Sequence, residues 1–371
     1  MPQALAAVLL EPGKPMVIET IELDEPQQGE VLVRMKAAGV CHSDWHVIAG
    51  DLPMPMPLVL GHEGAGVVEA VGPGVSSVRV GDAVWPIWRS SCGRCDFCQS
   101  GRPALCDLGT AMRFTGLMPD GKTRMRRQNG QPIHHYAGVS TFSSLSVMPE
   151  AAVVRIEPPV DWQQAALISC GVITGVGAVT HAAQVPAAST VAVFGCGGIG
   201  LNIIQGARLV GARQIIAVDN VAAKERFARQ LGATDFVHAD GHSDPVAAVR
   251  ALCGGQGCDF TFEAVGLAQS VEWAFDSLRK GGTCVVSGIA RQDARPGINA
   301  NQLVYGQKTL KGTLYGHMRP RVDLERLMAL ARAGRLDLDG LLTKTWPLEQ
   351  INEAYASLLR GEVARSLIVW P

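Results

Sequence analysis

The sequence predicts an α/β protein of two domains, one a doubly wound parallel sheet, the other β-rich with a metal-cross-linked lobe. Three observations carry this reading. At 371 residues the chain exceeds one ordinary hydrophobic core. From about residue 190, Val/Ile-rich runs alternate with helical stretches, the pattern of a parallel sheet covered on both faces. Before that point, short apolar runs broken by Pro and Gly lead into four cysteines within 15 residues.

The elements follow in order. ALAAVLL, VLVRMKAAGV and GAGVVEAVG read as strands of the β-rich part. Residues 90–135 read as irregular, polar and basic, a length of loop that is usually functional or cross-linked. Asp161 to His181 reads as helical with a Gly-rich middle. TVAVFG, QIIAVD, DFVHA, CDFTFEAVG and GTCVVSGI then read as buried strands, with AAKERFARQLGA and SVEWAFDSLRK as helices between them. The tail from about 320 reads as helices and one last strand, SLIVW.

Charge and hydropathy exclude several function classes. The 33 basic and 34 acidic side chains nearly cancel, against a nucleic acid or an anionic membrane as main partner. The N-terminal apolar run is too short for a secretory signal, and no stretch reads as the ~20 apolar residues that span a bilayer. The expected compartment is the cytoplasm, where cysteines stay reduced and serve as metal ligands.

Ten cysteines then become informative. Cys92, Cys95, Cys98 and Cys106, spaced C-x2-C-x2-C-x7-C, describe a closed tetrahedral structural zinc site in a lobe at about 90–110. Cys41, His62 and Cys170 form a dispersed set that leaves a fourth position open, as a catalytic zinc requires. No local spacing unites those three, and each alone reads equally as a buried thiol or a structural histidine. Cys196, Cys253, Cys258 and Cys284 show no ligand pattern and read as free thiols.

In TVAVFGCGGIGLNIIQGARLVGA a strand ends at Phe194, and Gly195-Cys196-Gly197-Gly198-Ile199-Gly200 opens a helix. Gly195 permits the tight turn, Gly197 lets the backbone approach a pyrophosphate, and Gly200 allows close helix–strand packing. The helix N-terminus offers free N–H groups to phosphates. The next strand ends at Asp219, whose carboxylate can bind both ribose hydroxyls and repels a 2′-phosphate. This predicts a Rossmann domain that takes NAD, with Lys224 as a further ribose contact.

Gly61-His62-Glu63-x2-Gly66-x5-Gly72-x2-Val75 resembles the signature of zinc-containing medium-chain alcohol dehydrogenases. Cys41-His42-Ser43-Asp44, the quartet, Cys170-Gly171, the Gly195 loop and the Arg365-Ser366-Leu367 ending follow in that family's order. The resemblance implies a GroES-like catalytic domain at 1–171 and 316–371 around an NAD domain at 172–315, with two zinc ions per subunit. It also implies a cleft between domains that closes on cofactor binding. The stretch after Cys106 is similar to the longer, homodimeric branch.

The same resemblance assigns roles. Cys41, His62 and Cys170 hold the catalytic zinc, with Glu63 close enough to approach it. Asp44 orients His62. Ser43 bonds the substrate oxygen, and His46 ends a proton relay. His42 and Arg365 lie near the pyrophosphate, and Thr174 packs behind the nicotinamide. The chemistry is coherent: an alcohol must lose its proton before giving up hydride, a Lewis-acidic metal makes that feasible near neutral pH, a histidine titrates in the useful range, and nicotinamide accepts the hydride.

Trp88, Tyr136, Ala137 and Leu314 fall at substrate-channel positions of the family, implying a primary, hydrophobic or aromatic alcohol and its aldehyde. The alternative is a thiol-dependent formaldehyde dehydrogenase acting on the S-hydroxymethyl adduct. Glutathione-using members carry a basic residue four positions after the last quartet cysteine, where this chain has Thr110, with Arg113 close by. A non-catalytic NAD- and zinc-binding protein is a third reading, which expects a lost ligand or relay residue. None is lost.

Overall fold

In the computed structural model, residues 1–242 and 244–371 are described. They form two compact units. The first comprises Met1–Cys170, Arg319–Met328 and Leu342–Pro371, and the second Gly171–Met318 and Ala329–Leu341. Against the expected borders, the short segment 329–341 thus joins the dinucleotide-type unit.

In the first unit Gln3–Leu9, Val17–Leu23, Met125–Arg127, Pro132–His135 and Leu58–Val59 close a five-stranded barrel. A seven-stranded sheet runs Val153–Arg155, Ala83–Pro86, Ala65–Val71, Glu30–Gly39, Arg365–Val369 and Leu342–Trp346, with Leu145–Pro149 also paired to Glu30–Gly39. Alternation decides which face is buried. Val31, Val33 and Met35 of the central strand point into a core shared with Val68, Val84 and Val153. Each such side chain contributes about 1.5–3 kcal/mol over exposure. That strand ends at Gly39, two residues before Cys41, so a strand paired with three others leads directly to the first residue expected in the dispersed set.

The second unit is a six-stranded, wholly parallel sheet. Its order is Asp235–His238, Gln214–Asp219, Thr190–Phe194, Cys258–Glu263, Leu278–Val286 and Thr309–Gly312. This is the 3-2-1-4-5-6 order of a Rossmann fold. Phe194, Ile216, Val218 and Phe275 fill its core.

Three readings need correction. Residues 90–135 are not wholly irregular, for Asp107–Thr115 is a helix that ends at Gly116 in the left-handed region, φ 66°. The C-terminal part holds a further strand, Leu342–Trp346, whose exposed Thr-Lys-Thr centre hides it from hydrophobic patterning. Finally, Trp162–Ala183 is a 22-residue helix of mean hydropathy 1.6, long and apolar enough to cross a bilayer. Within its most apolar window 89% is buried inside the protein, so this is a core helix. Asp161 caps it, accepting from Gln163 N and Gln164 N. It passes through π-helical turns at Ile168–Val172 and Ala178–Ala183, and such turns concentrate at functional positions. Cys170 lies in the first of them.

Candidate active site and metal centres

Cys41 precedes the short helix His42–Ile48, which turns Ser43 and Asp44 back toward the following loop. That loop reverses at Gly61, φ 87°, where a Cβ would lie 2.6 Å from Phe142 N, so only glycine fits. The reversal aims His62 at Asp44: His62 Nδ1 is 3.0 Å from Asp44 Oδ1, which also accepts from Gly61 N at 3.2 Å. Across the loop, Gly64 N donates to Ser169 Oγ at 3.0 Å, fixing the turn next to Cys170. Sequence reasoning missed Ser169, whose signal is its place beside Cys170, a residue expected in the dispersed set.

The ligand atoms of Cys41, His62, Glu63 and Cys170 all lie within 4.8 Å of one another, and all four residues are buried. Ser43 Oγ sits among them, 3.0 Å from Cys41 Sγ and 3.3 Å from His62 Nε2, and Cys170 Sγ is 3.3 Å from the same nitrogen. The electrostatics are those of a crowded pocket. A hydrogen bond from Cys170 holds the Cys41 thiol well below its ordinary range, and that bond, with burial, pushes Cys170 well above. Burial works against a charged His62, but Asp44 and Cys41 outweigh it and hold the imidazole up to about 10. Burial pushes Glu63 up to about 7 against the pull of Arg365.

These residues fit zinc. Two thiols and an imidazole converge, a carboxylate sits behind the histidine as at zinc sites generally, and Glu63 Oε1 is buried without a protein partner. A cation bound here displaces the protons that the thiols now share. Arg365, which the resemblance sends to a pyrophosphate, is ion-paired through Nη2 with Glu63 Oε2, while its Nε has no partner.

His46 Nδ1 lies 3.2 Å from Asp51 Oδ2, and its ring meets exposed His42 edge-on at 5.2 Å. Asp51 was not singled out from sequence. Its spacing of five from His46, just past the helix end, is the signal that could have found it. Trp88 and Tyr136 meet the His62 ring edge-on at 5.9 and 5.7 Å, and the buried Tyr136 hydroxyl donates to Ser43 O at 3.3 Å. Ala137 is a core residue at φ 54°, packed with Val139 and Met148. Arg113 stacks on Tyr136 with its guanidinium 4.3 Å from the ring centre.

The quartet sulfurs also lie within 4.8 Å of one another. Cys92 N donates to Cys106 Sγ at 3.2 Å and Cys95 N to Cys92 Sγ at 3.3 Å. Backbone N–H groups of Arg94 and Cys95 pull the Cys92 thiol down to about 6, as a thiolate ligand needs. Arg89, also missed, is buried and clamps both flanks of Cys106. Its Nε donates to Ala104 O at 2.8 Å and its Nη2 to Thr110 Oγ1 at 2.8 Å. The donor set is sulfur only, which suits a closed zinc site.

In the second unit Gly197 caps the 12-residue helix Gly198–Leu209, and a Cβ at Gly197 would meet nothing within 4 Å, leaving the approach to the helix N-terminus open. A Cβ at Gly200 would lie 1.7 Å from Gly195 O, so the close packing there admits only glycine. Asp219 accepts from Cys196 N at 2.7 Å and Val221 N at 2.9 Å, and pairs with Lys224 at 3.1 Å. Ile199 is half-buried at the first helical turn, and Thr174 and Leu314 also belong to this unit.

Residues 27–158 match the alcohol dehydrogenase GroES-like domain, and residues 198–333 match the zinc-binding dehydrogenase family. An S-(hydroxymethyl)glutathione dehydrogenase of Synechocystis sp. is 41% identical over 98% of both chains. The chain belongs to the zinc-containing alcohol dehydrogenase family. Like that family it is an NAD-dependent oxidoreductase that binds zinc. Benzyl alcohol dehydrogenase of Acinetobacter calcoaceticus superposes with TM-score 0.94 at 30% identity, covering 100% of both chains. An alcohol dehydrogenase zinc-binding domain protein of Burkholderia ambifaria gives 0.94 at 35%, covering 100% of this chain and 99% of that one. A zinc-binding dehydrogenase of Sinorhizobium meliloti bound to NADP gives 0.82 at 25%, covering 100% of both.

Proposed function

We propose that this dehydrogenase oxidises a primary alcohol with a hydrophobic or aromatic substituent to its aldehyde, reversibly, with NAD. The observation that carries this reading is the pair of rings, Trp88 and Tyr136, set edge-on against His62. Zinc, when bound, supplies the Lewis acidity that lets an alcohol proton leave near neutral pH, and NAD takes the hydride. Ser43, among the ligand atoms, holds the alcohol oxygen, takes its proton and hands its own hydroxyl proton on toward His46. His46, backed by Asp51, passes it to solvent. Asp44 keeps the His62 ring oriented. Asp219 favours NAD over NADP, and Asp219→Gly should relax that preference; an unchanged NAD/NADP ratio of kcat/KM would sink the assignment.

A second reading has its own support. Among the described residues no acidic partner faces Arg113, a half-buried cation one ring away from His62. Such a cation suits a substrate with a carboxylate, as the S-hydroxymethyl adduct of glutathione has, and the Synechocystis relative is named for action on that adduct. Thr110 is tied to Arg89 and offers no charge. The test is NADH formation by zinc-replete enzyme with hexanol, benzyl and cinnamyl alcohols, and with formaldehyde with and without thiols. Turnover of the larger alcohols without thiol supports the first reading. Strictly thiol-dependent turnover of formaldehyde, lost in Arg113→Gln, replaces it with the second.

The working form is proposed to be a homodimer. Helix Ala300–Gly306 leaves Val304 70% and Tyr305 82% exposed, beside Thr309–Gly312 at the open edge of the parallel sheet. Sedimentation of Tyr305→Lys should show monomer if this face is used. The ten unpaired thiols suit a reducing compartment, in keeping with a cytoplasmic location.

A further inference from the structure

Six of the ten cysteines lie in the two ligand sets, and Cys196 and Cys284 are sealed in the core. The remaining two face each other. Cys253 Sγ and Cys258 Sγ are 3.2 Å apart, joined by a thiol hydrogen bond. Cys258 opens the strand Cys258–Glu263 and is fully buried, whereas Cys253 caps the helix Pro245–Leu252 and is half-buried. The loop between them is Gly-Gly-Gln-Gly, and a Cβ at Gly254 or Gly255 would meet nothing within 4 Å. Cys253 is the partly exposed thiol of the pair, and Cys258 is the buried one.

We propose that Cys253 and Cys258 form a dithiol site for low-molecular-weight disulfides, with Cys253 as the attacking thiol and Cys258 as the resolving one. The Cys253 thiolate attacks one sulfur of the reagent, whose S–S bond breaks, releasing one thiolate and leaving a mixed disulfide on Cys253. Cys258 gives up its proton and attacks the Cys253 sulfur. The mixed bond breaks and the second thiolate leaves. The protein has lost two protons and two electrons, and the reagent, having gained them, has become two thiols. Excess thiol reverses both steps.

Two further observations fit this order. The hydrogen bond from Cys258 holds the Cys253 thiol below its ordinary range, while the same bond and burial push Cys258 far above it, so the reachable sulfur is the more readily ionised one. The strand that begins at Cys258 ends at Glu263, where Ala264 N donates to Phe194 O at 2.9 Å beside the dinucleotide loop. The pair lies at the opposite end of that strand from the dinucleotide loop, so turnover is expected to survive closure of the pair.

The test treats zinc-replete enzyme with oxidised glutathione at graded ratios to reduced glutathione, followed by alkylation, intact mass and peptide mapping. The expected product is lighter by two hydrogens, with Cys253 joined to Cys258, unchanged zinc content and reversal by excess thiol. Cys253→Ser should abolish the reaction while keeping turnover. Cys258→Ala should stop at one glutathionyl group on Cys253. Because Cys258 is a core residue, Cys253→Ser is the deciding variant. No bridge under conditions that fully oxidise a dithiol reference peptide, or the same bridge yield in Cys253→Ser, would overturn the proposal.

Discussion

The quartet and the dispersed set share cysteine sulfur as a donor but sit in opposite surroundings. Cys92, Cys95 and Cys98 are half-buried on a short stretch of chain whose own N–H groups point at the sulfurs. Cys41, His62, Glu63 and Cys170 are all buried, come from three separate segments, and are flanked by Asp44 and Arg365. The first arrangement needs only local backbone geometry. The second must keep several charges out of water at once, which costs several kcal/mol per ion unless each is paired. The comparison teaches that a sulfur cluster can be built from neighbours in sequence, whereas a buried, charge-rich cluster needs distant residues that balance one another.

The largest effect should separate the sets outright. Cys170→Ala removes a ligand of the open site and should lower kcat by on the order of 10³-fold or more, with one zinc per subunit still bound in the quartet. Cys98→Ser should do the reverse, losing the quartet zinc, destabilising the lobe and leaving the other zinc in place. Metal analysis and kcat on both variants decide. Equal losses of kcat, or two zincs retained in Cys98→Ser, would break the distinction.

This difference also governs what could be read from sequence. The quartet is legible because its ligands share one loop and one spacing. Cys41, His62 and Cys170 have no common spacing, and only the resemblance drew them together. The Rossmann strands are legible because each is a buried Val/Ile run, but the strand Leu342–Trp346 is not, since its centre is polar and exposed. The helix Trp162–Ala183 is legible as a helix, but its membrane-spanning apolar length is not, since its Gly, Ser, Cys and Thr residues read as interruptions although all of them pack well in a protein core. The pairing of Arg365 with Glu63, 302 residues apart, leaves no trace in any local pattern.

That pairing supplies the next test. Arg365→Met leaves Glu63 fully buried without its cation, and truncating one partner of a buried pair costs about 3–5 kcal/mol. Urea unfolding should register the loss, and adding Glu63→Gln should recover much of it. If the single variant is as stable as the parent, the pair does not balance the pocket. Asp44→Asn should come next, with a loss of about 10–100-fold in zinc affinity or turnover, as for other carboxylates behind a zinc histidine. Quartet zinc should be unaffected, and chelator-release kinetics would show it. A loss shared by both zincs would mean that Asp44 supports the whole unit rather than His62.

The smallest effect tests whether the quartet is as self-sufficient as the comparison makes it. Thr110 Oγ1 accepts from Arg89 Nη2 at 2.8 Å and donates to Cys106 O at 3.0 Å, so one hydroxyl links a buried guanidinium to the last ligand. Thr110→Val keeps the shape and removes both bonds, leaving one donor of a buried cation unsatisfied, at about 1–3 kcal/mol. If the lobe is held by its own chain, the penalty stays local: quartet zinc leaves faster to a chelator, while kcat and KM for the alcohol stay within about twofold, since a 0.4 kcal/mol change already doubles a rate. But Arg89 also lies 5.9 Å from the centre of the Trp88 ring, and Trp88 meets His62. A rise in KM alongside the faster zinc release would mean that the lobe shapes the substrate wall as well as holding its metal. In that case the two sets are coupled through Arg89 and Trp88, and the contrast between a local holding site and a long-range reactive one no longer stands.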